Sequence, residues 1–389
     1  MSELNFTHSN GNKVKLTTPD TLSADKTFKL PGSDGSVGQV LQTDGSGALS
    51  FTSQAPSNRR LNYNGAMLVN QRGNTNTGSF SYYYGPDRYY SQGNGNNNGN
   101  WDIGQSTDVP DGYGFKYSLS YDCTATSSHA DRYLMTLYRM EGVDSQVFNY
   151  GTANAKTVTL SFWIKCSKAG NFQVNFENEQ NPDAGYQTQQ TINSANTWEK
   201  KVVTIPGDTS KAFTWTTAKA MCFDIMYSAF GSYASGTPSA AWSTLSNTQR
   251  GGHCNIDLFD STSNYVRITG VQLELGDHAT DFEHLPYQVE LQRCKRYYQT
   301  AAYTTMMGSL AGQVGTPKIL FEVEMRAIPS SVTTEYGGNG NGTFRNQNDG
   351  STLTGNTTFN YYINGFDCRG NNGSANIIYS STYIAEAEI

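Results

Sequence analysis

Apolar and polar residues alternate over short segments through most of this chain, which is the pattern of β-strands with one buried face. At 158–165 the sequence VTLSFWIK places Val, Leu, Phe and Ile at every second position. At 266–275 the apolar phase slips by one residue at Gly270, which predicts a β-bulge. Long loops separate such strands over residues 58–286, and together they predict an antiparallel sandwich of jelly-roll type.

Residues 1–57 contain only short strand-like runs, such as KVKL at 13–16 and QVLQ at 39–42, between the turn signals DG and DGSG. So short and polar a segment buries too little apolar surface to fold alone, and its strand edges are open to pairing. It is therefore either a flexible leader or a β-segment that folds against copies of itself. The regular spacing of apolar residues and turns favours the second alternative, an intertwined β stalk.

A short helix is predicted after the sandwich. Pro286 stands where the first helical turn tolerates proline, and Tyr287, Leu291, Cys294 and Tyr298 follow at spacings of four, three and four. These positions form one face of about three helical turns.

The last part of the chain returns to the period of a strand, with alternation at 319–326 and apolar runs at 359–363 and 377–384. Roughly four strands are few for an independent sheet, so this region would gain from partners. The sequence predicts an all-β protein with four parts: a β stalk at 1–57, a jelly-roll β-sandwich at 58–286, a helical connector at 287–300 and a small β tip domain at 301–389.

Composition supports this fold class and narrows the function. Charged residues make up 15% of the chain, and it holds 39 glycines and 25 tyrosines, which suits β-strands with many turns. The balance of 27 basic and 33 acidic residues gives a net charge of −6, so nucleic acid is not an expected partner.

No apolar run approaches the roughly 20 residues of a membrane span, and membrane insertion is not expected. The six cysteines lie tens of residues apart, which indicates buried small hydrophobes in a chain folded in a reducing cytoplasm.

The sequence contains no recognisable catalytic motif. The glycine-rich stretch at 337–342 lacks the features of a phosphate-binding loop, and there is no GxSxG motif. The Asp and His residues at 277–284 match no zinc spacing, although a structural Ca²⁺ would leave little trace in sequence. Asp224, on an otherwise apolar strand, is either one carboxylate of a hydrolytic pair or a hydrogen-bonded structural group. We therefore expect no enzyme and no cofactor, and leave metal binding open.

Aromatic residues embedded in polar loops carry the strongest functional signal. The run SFSYYYGPDRYY at 79–90 precedes an Asn/Gly tract at 92–100, and a second such loop spans 336–345. Sugar rings stack on Tyr and Trp while Asn, Asp, Gln and Arg bind their hydroxyls. Alternatively, some of these tyrosines point inward as strand residues. The candidate glycan-binding residues are Tyr82, Tyr84, Tyr89, Asn98 and Trp101 in the first loop, and Tyr336, Asn339, Asn341, Phe344 and Arg345 in the second.

Several motifs in a specific order resemble bacteriophage tail fibre proteins, and the resemblance spans essentially the whole chain. The segment at 30–51, LPGSDGSVGQVLQTDGSGALSF, is similar to their connector repeat. Other motifs resemble the opening, a core strand, the closing strand and helix, and the last module of a carbohydrate-binding-like jelly roll in those fibres. These motifs are NGAM at 64–67, QRG at 71–73, DRY at 87–89, LSFWIK at 160–165, VQLELG at 271–276, ATDFEH at 279–284, ELQRCKRYY at 290–298, MRAIP at 325–329 and AEAE at 385–388.

The resemblance implies a homotrimeric virion fibre, assembled in the bacterial host cytoplasm. Its N-terminal segment would attach to the phage tail or another virion protein, and its distal end would bind host-surface polysaccharide or lipopolysaccharide. Members of this family often have Trp where this chain has Tyr89. Either the jelly roll or the tip would be the receptor end.

Two rival functions remain open at this level. The chain could be a structural virion fibre or decoration component without receptor contact. A polysaccharide depolymerase is less favoured, since depolymerases of that kind usually need a longer repetitive β-helix.

Overall fold

The computed structural model describes residues 3–7, 9, 11–17, 27–35, 39–53, 59–77, 80–94, 100–181, 184–310, 313–315, 318–336, 343–347, 351–353, 357–370 and 377–389. The chain divides by its contacts into two compact units, Met1–Ser57 and Asn58–Ile389. The strands of both units pair in antiparallel fashion, so the prediction of an all-β protein is confirmed. Within the described residues, no helix has the length and apolarity that a membrane span requires.

Two β-hairpins lie in the first unit, and Lys29 forms an isolated parallel bridge with Ala48. In the second hairpin, the Asp44 carboxylate accepts hydrogen bonds from the backbone N–H groups of Ser46 and Ala48 at 2.8 and 2.9 Å, and so closes the turn that the DGSG sequence predicts. The hairpins are β1 (Glu3–Thr7) with β2 (Lys13–Thr17), and β3 (Gln39–Thr43) with β4 (Leu49–Ser53).

Two six-stranded antiparallel sheets form a jelly-roll-like sandwich in the second unit. The first sheet has the order β13 (Gly185–Ile192), β12 (Gly170–Asn178), β15 (Lys219–Ala229), β10 (Tyr133–Glu141), β7 (Tyr90–Asn94), β6 (Phe80–Tyr82). The second sheet has the order β14 (Glu199–Ile205), β11 (Val158–Cys166), β16 (Tyr265–Leu275), β9 (Ser118–Ala125), β8 (Asn100–Ser106), β5 (Thr75–Thr77).

Side chains from both sheets share one core. The four apolar residues of β11 that alternate in sequence are all buried, as the pattern predicts. Phe162 of β11 meets Phe172 of β12 with ring centroids 6.3 Å apart, which joins the two sheets. Four of the cysteines, Cys123, Cys166, Cys222 and Cys294, are buried free thiols, in line with their expected role as small hydrophobes.

The predicted bulge at Gly270 is confirmed. The pairing of β11 with β16 shifts register between Ser161 and Trp163, where β16 carries one residue more than β11. Gly270 has φ of +62°, a left-handed conformation that glycine adopts without steric cost.

The predicted helix is also present, as α2 (Tyr287–Lys295) beginning directly after Pro286. It ends earlier than the predicted connector, because residues from Tyr298 onward pair as a strand. A second, one-turn helix, α1 (Gly142–Ser145), follows β10 and was not predicted. Three short 3₁₀ turns span Gln146–Phe148, Gly231–Tyr233 and Asn247–Gln249.

The C-terminal region forms a further sheet around Met325, Phe366 and Tyr383. The alternation at 319–326 predicts a long strand, but the strand stops at Leu320 and the chain then bends, although Phe321 and Met325 are buried. The described strands are β17 (Tyr298–Leu310), β18 (Gln313–Gly315), β19 (Ile319–Leu320), β20 (Ser331–Glu335), β21 (Phe344–Asn346), β22 (Thr352–Leu353), β23 (Thr357–Tyr362), β24 (Gly365–Gly370) and β25 (Ile377–Glu386).

Buried ion pairs connect the sandwich to α2 and to the C-terminal sheet. The Arg88 guanidinium is buried, pairs with Glu388, and lies 3.4 Å from the ring centroid of Tyr297. Arg60 pairs with Glu290 of α2, again without solvent contact. Charges enclosed in this way need their partners, because an unpaired buried ion costs several kcal/mol.

Candidate functional site

The first predicted loop contributes two accessible tyrosines. Tyr82 ends β6 and is 39% exposed, and its hydroxyl donates a hydrogen bond to Glu386 of the C-terminal sheet. The ring of Tyr84, which is half-buried, lies 5.4 Å from that of Tyr82. These rings therefore lie at the junction between the sandwich and β25.

Tyr89 and Trp101 are core residues, which corrects their assignment as glycan contacts. Trp101 is fully buried and packs edge-on against Phe259 at 5.3 Å. Tyr89 is buried with its ring 5.4 Å from that of Tyr138. The inward-pointing alternative holds for both, because their apolar area gains more from burial than from exposure. Asn98 lies outside the described residues.

The second predicted loop is divided in the same way. Phe344 is fully buried in the C-terminal sheet, with its ring 6.4 Å from that of Tyr303, so it too is a core residue. Arg345 is exposed, and its guanidinium lies 5.7 Å from the ring of the half-buried Tyr336. Tyr336 lines a depression of about 320 Å³ beside β25. Asn339 and Asn341 lie outside the described residues.

Asp224 is a buried ion-paired carboxylate. Its oxygens accept hydrogen bonds from Asn175 Nδ2 and Arg250 Nη1, each at 2.7 Å, and Arg250 also pairs with Glu177. Desolvation outweighs the attraction of Arg250 and raises the pKa of Asp224 to about 6. Arg250 bridges Asp224 and Glu177, so Asp224 is a hydrogen-bonded structural group, which is the structural alternative named from the sequence.

No metal site is evident among the described residues, since no three His, Cys, Asp or Glu side chains converge there. In the segment at 277–284, Asp277 pairs with the neighbouring His278 at 2.5 Å, and both side chains are largely exposed.

An aromatic cleft of about 360 Å³ opens on the outer face of the second sheet, and it was not predicted from the sequence. Trp163 of β11 points outward and is half-buried. Tyr113, from the segment between β8 and β9, is 54% exposed, and its ring lies 4.4 Å from that of Trp163 at an angle of 47°. The two rings form one bent aromatic surface, which Phe115 and Phe282 extend inward with centroids 5.0 Å apart.

The bulge in β16 creates the floor of this cleft. A Cβ atom at Gly270 would lie 2.6 Å from Phe115 Cζ and 3.0 Å from Trp163 Cδ1. Only the absence of a side chain lets both rings approach the strand. The bulge and the cleft therefore depend on the same glycine.

Asp108 holds the segment that carries Tyr113 onto the sheet. Its carboxylate accepts hydrogen bonds from Lys165 Nζ at 2.8 Å and from Trp198 Nε1 at 3.0 Å. Desolvation raises the pKa of Asp108, but these two hydrogen bonds outweigh it, so the pKa lies below its ordinary value. Further along, His284 Nε2 donates to the carbonyl of Tyr113 at 3.0 Å.

Polar side chains border the aromatic surface. Lys200 lies directly opposite Trp163 on the neighbouring strand, and Asp281 and His284 line the other part of the cleft. An apolar wall with a few polar groups at its edge is the usual composition of a small-molecule site. In the sequence, Trp163 could have been noticed as the large aromatic residue on the polar face of β11.

A second, larger depression of about 680 Å³ lies on β8 and β9 of the same sheet. We call it the polar groove. Asp102 and Asp122 oppose each other there, and Gln105 and Ser120 also line it.

The chain matches no protein family, and no curated protein sequence matches it either. Solved structures overlap with about half of it at low similarity. The enzymatically active domain of bacteriophage CBA120 tailspike protein 4 is 11% identical with a TM-score of 0.29, over 56% of this chain and 22% of that chain. A CBM4 structure is 14% identical with a TM-score of 0.28, and the match covers 55% of this chain and 98% of that chain. A third match is a family 11 carbohydrate-binding module from Clostridium thermocellum in complex with a β-1,3-1,4-mixed-linked tetrasaccharide. It is 12% identical with a TM-score of 0.24, and the match covers 55% of this chain and 98% of that chain.

Proposed function

We propose that this chain is the receptor-binding fibre of a bacteriophage, a homotrimer that binds polysaccharide or lipopolysaccharide on the host surface. The observation that carries the proposal is the cleft formed by Tyr113 and Trp163. Exposed aromatic rings bordered by charged side chains suit a sugar, which presents C–H groups on its faces and hydroxyls at its edge. The virion location and attachment through the N-terminal segment rest on the resemblance to tail fibres.

Apolar exposure in the first unit supports the self-association of the chain. Large apolar side chains rarely stay exposed when a partner is available to bury them. The exposed apolar side chains and open strand edges of this unit would be covered by two further copies in an intertwined stalk. The exposed residues are Phe28, Leu30, Val40, Leu41 and Phe51.

A binding experiment tests the receptor function. Purified protein would be added to bacteria with their surface polysaccharide intact or stripped, and to the same polysaccharides immobilised on a sensor. Trp163→Ala removes the main stacking surface, and we expect its affinity to fall about tenfold, with a further loss from multivalency. Trp215→Ala is the matched control, since Trp215 is 69% exposed and does not line the cleft.

Four results would count against the proposal. Equal binding of both variants would remove the cleft from recognition. Absence of binding to any bacterial surface would favour a structural virion component, and new reducing ends during incubation would indicate a depolymerase. Light scattering decides the oligomeric state, because a mass near 42.7 kDa would exclude a trimer and three times that value is expected.

A further inference from the structure

We infer that the aromatic cleft binds a neutral sugar residue within a polysaccharide chain and discriminates against acidic sugars. This inference rests on the proposed function, and it adds the chemical class of the ligand. It follows from two opposite charges that line the same cleft.

Lys200 and Asp281 line the cleft together. The register of β14 with β11 places Lys200 beside Trp163, and its side chain is exposed. Asp281 is also exposed, and its backbone carbonyl, rather than its carboxylate, accepts a hydrogen bond from Arg59 Nη2 at 2.9 Å. Within the described residues neither charged group has an ion pair or a side-chain hydrogen bond. Both are therefore available to a ligand.

A ligand in the cleft lies beside both charges. A hydroxyl can accept a hydrogen bond from an ammonium and donate one to a carboxylate, so neighbouring sugar hydroxyls suit Lys200 and Asp281 together. A carboxylate or phosphate on the sugar could use Lys200, but it would also approach Asp281, and juxtaposed like charges oppose binding.

His284 adds an acceptor to the same site. Its Nε2 carries a proton, because it donates to the carbonyl of Tyr113. In the neutral form of this imidazole, Nδ1 is an acceptor. Ring contacts with Phe115 at 5.2 Å and Phe282 at 4.8 Å hold the imidazole in this orientation.

The polar groove strengthens the preference for a neutral chain. Of the described residues that line it, Asp102 and Asp122 are acidic and none is basic. Arg267 pairs with Asp122 from outside the groove, which leaves no excess of positive charge there. A polyanion lying along the second sheet would meet carboxylates in both depressions.

Binding of neutral and acidic polysaccharides to charge variants of the cleft tests the inference. The probes are immobilised bacterial polysaccharides with uncharged repeat units, with uronic acids and with phosphate groups, which separates the two sources of negative charge. We expect binding to uncharged polymers and at least tenfold weaker binding to both acidic classes. Lys200→Gln and Asp281→Asn should each weaken binding to the neutral polymer by about tenfold or more. Asp277→Asn is the control, since Asp277 is exposed in the same segment and does not line the cleft.

The response of Asp281→Asn separates this inference from the proposed function. A neutral ligand exchanges a charged acceptor with two oxygens for an uncharged one with a single oxygen and binds more weakly, whereas an anionic ligand loses a repulsion and binds more tightly. Tighter binding of that variant, or preferential binding of an acidic polymer, would overturn the inference while receptor binding through Trp163 stands. Failure of every polysaccharide to bind would overturn both.

Discussion

The stability of this protein should fall as the pH rises from about 4 to 6, because of Asp224. The carboxylate is buried, and desolvation raises its pKa to about 6 although Arg250 lies 2.7 Å away. An aspartate in an unfolded chain has a pKa of about 3.9. Between these two values the native state holds a proton that the unfolded state has released. The stability from this protonation is complete below the unfolded pKa and is lost as the pH rises through 6.

The magnitude follows from the size of the shift. A displacement of about two pKa units corresponds to about 3 kcal/mol of unfolding free energy, at about 1.4 kcal/mol per unit. Between pH 4.5 and 7.5 about 2 kcal/mol of this would be lost. Asp224→Asn is the appropriate variant, because the amide resembles the protonated acid and its oxygen still accepts a hydrogen bond from Arg250.

Urea unfolding of the native protein and of Asp224→Asn, at equal protein concentration and several pH values, measures the effect. The native protein should lose about 2 kcal/mol relative to the variant between pH 4.5 and 7.5. Asp260→Asn is a control of opposite sign: the hydrogen bond from Lys168 lowers the pKa of Asp260, so the native protein should lose relative stability only as the pH falls below about 4. A constant difference from Asp224→Asn, or a native protein that gains stability relative to this variant as the pH rises, would show that pairing with Arg250 outweighs desolvation.

Two further substitutions test the packing that supports the site. Gly270→Ala should cost at least about 1 kcal/mol more than Gly73→Ala in urea unfolding, and it should weaken polysaccharide binding. Both glycines have a φ close to the left-handed region, but only Gly270 lacks room for a Cβ. Equal costs would contradict the close packing of Phe115. Arg88→Met should cost at least about 2 kcal/mol, because it removes one of the two buried arginines that pair with Glu388 and leaves only Arg72, whereas Lys168→Met, at an exposed pair, should cost less than about 1 kcal/mol. Comparable losses would refute the coupling between the sandwich and the C-terminal sheet.

The local sequence patterns predicted the all-β fold class correctly. The alternation in β11 predicts its buried face, the phase slip predicts the bulge at Gly270, and the spacing after Pro286 predicts α2. Each of these signals depends on the period of one segment, and sequence alone records that period. The prediction of a strand at 319–326 was wrong beyond Leu320. The chain bends there, and tertiary packing buries Phe321 and Met325 without a regular strand.

Candidate binding residues were harder to judge, because an aromatic residue in a polar run is equally suited to a core and to a surface. Tyr89, Trp101 and Phe344 are buried, whereas Tyr82 and Arg345 are exposed. Nothing in the run SFSYYYGPDRYY states which tyrosine faces the opposite sheet. That choice depends on the register with β7, β10 and β25, which are distant in sequence.

The amino-acid sequence by itself determined an all-β chain, the buried faces of its strands, one bulge and one helix. Each of these follows from the spacing of apolar residues within one segment, which differs between β-strands and α-helices. Only the tertiary structure determined which residues form the aromatic cleft. Tyr113, Trp163, Lys200 and Asp281 come from four separate segments and are brought together by the pairing of β14 with β11 and of β11 with β16. Their proximity results from sheet order and from the space left by Gly270, neither of which has a local signature.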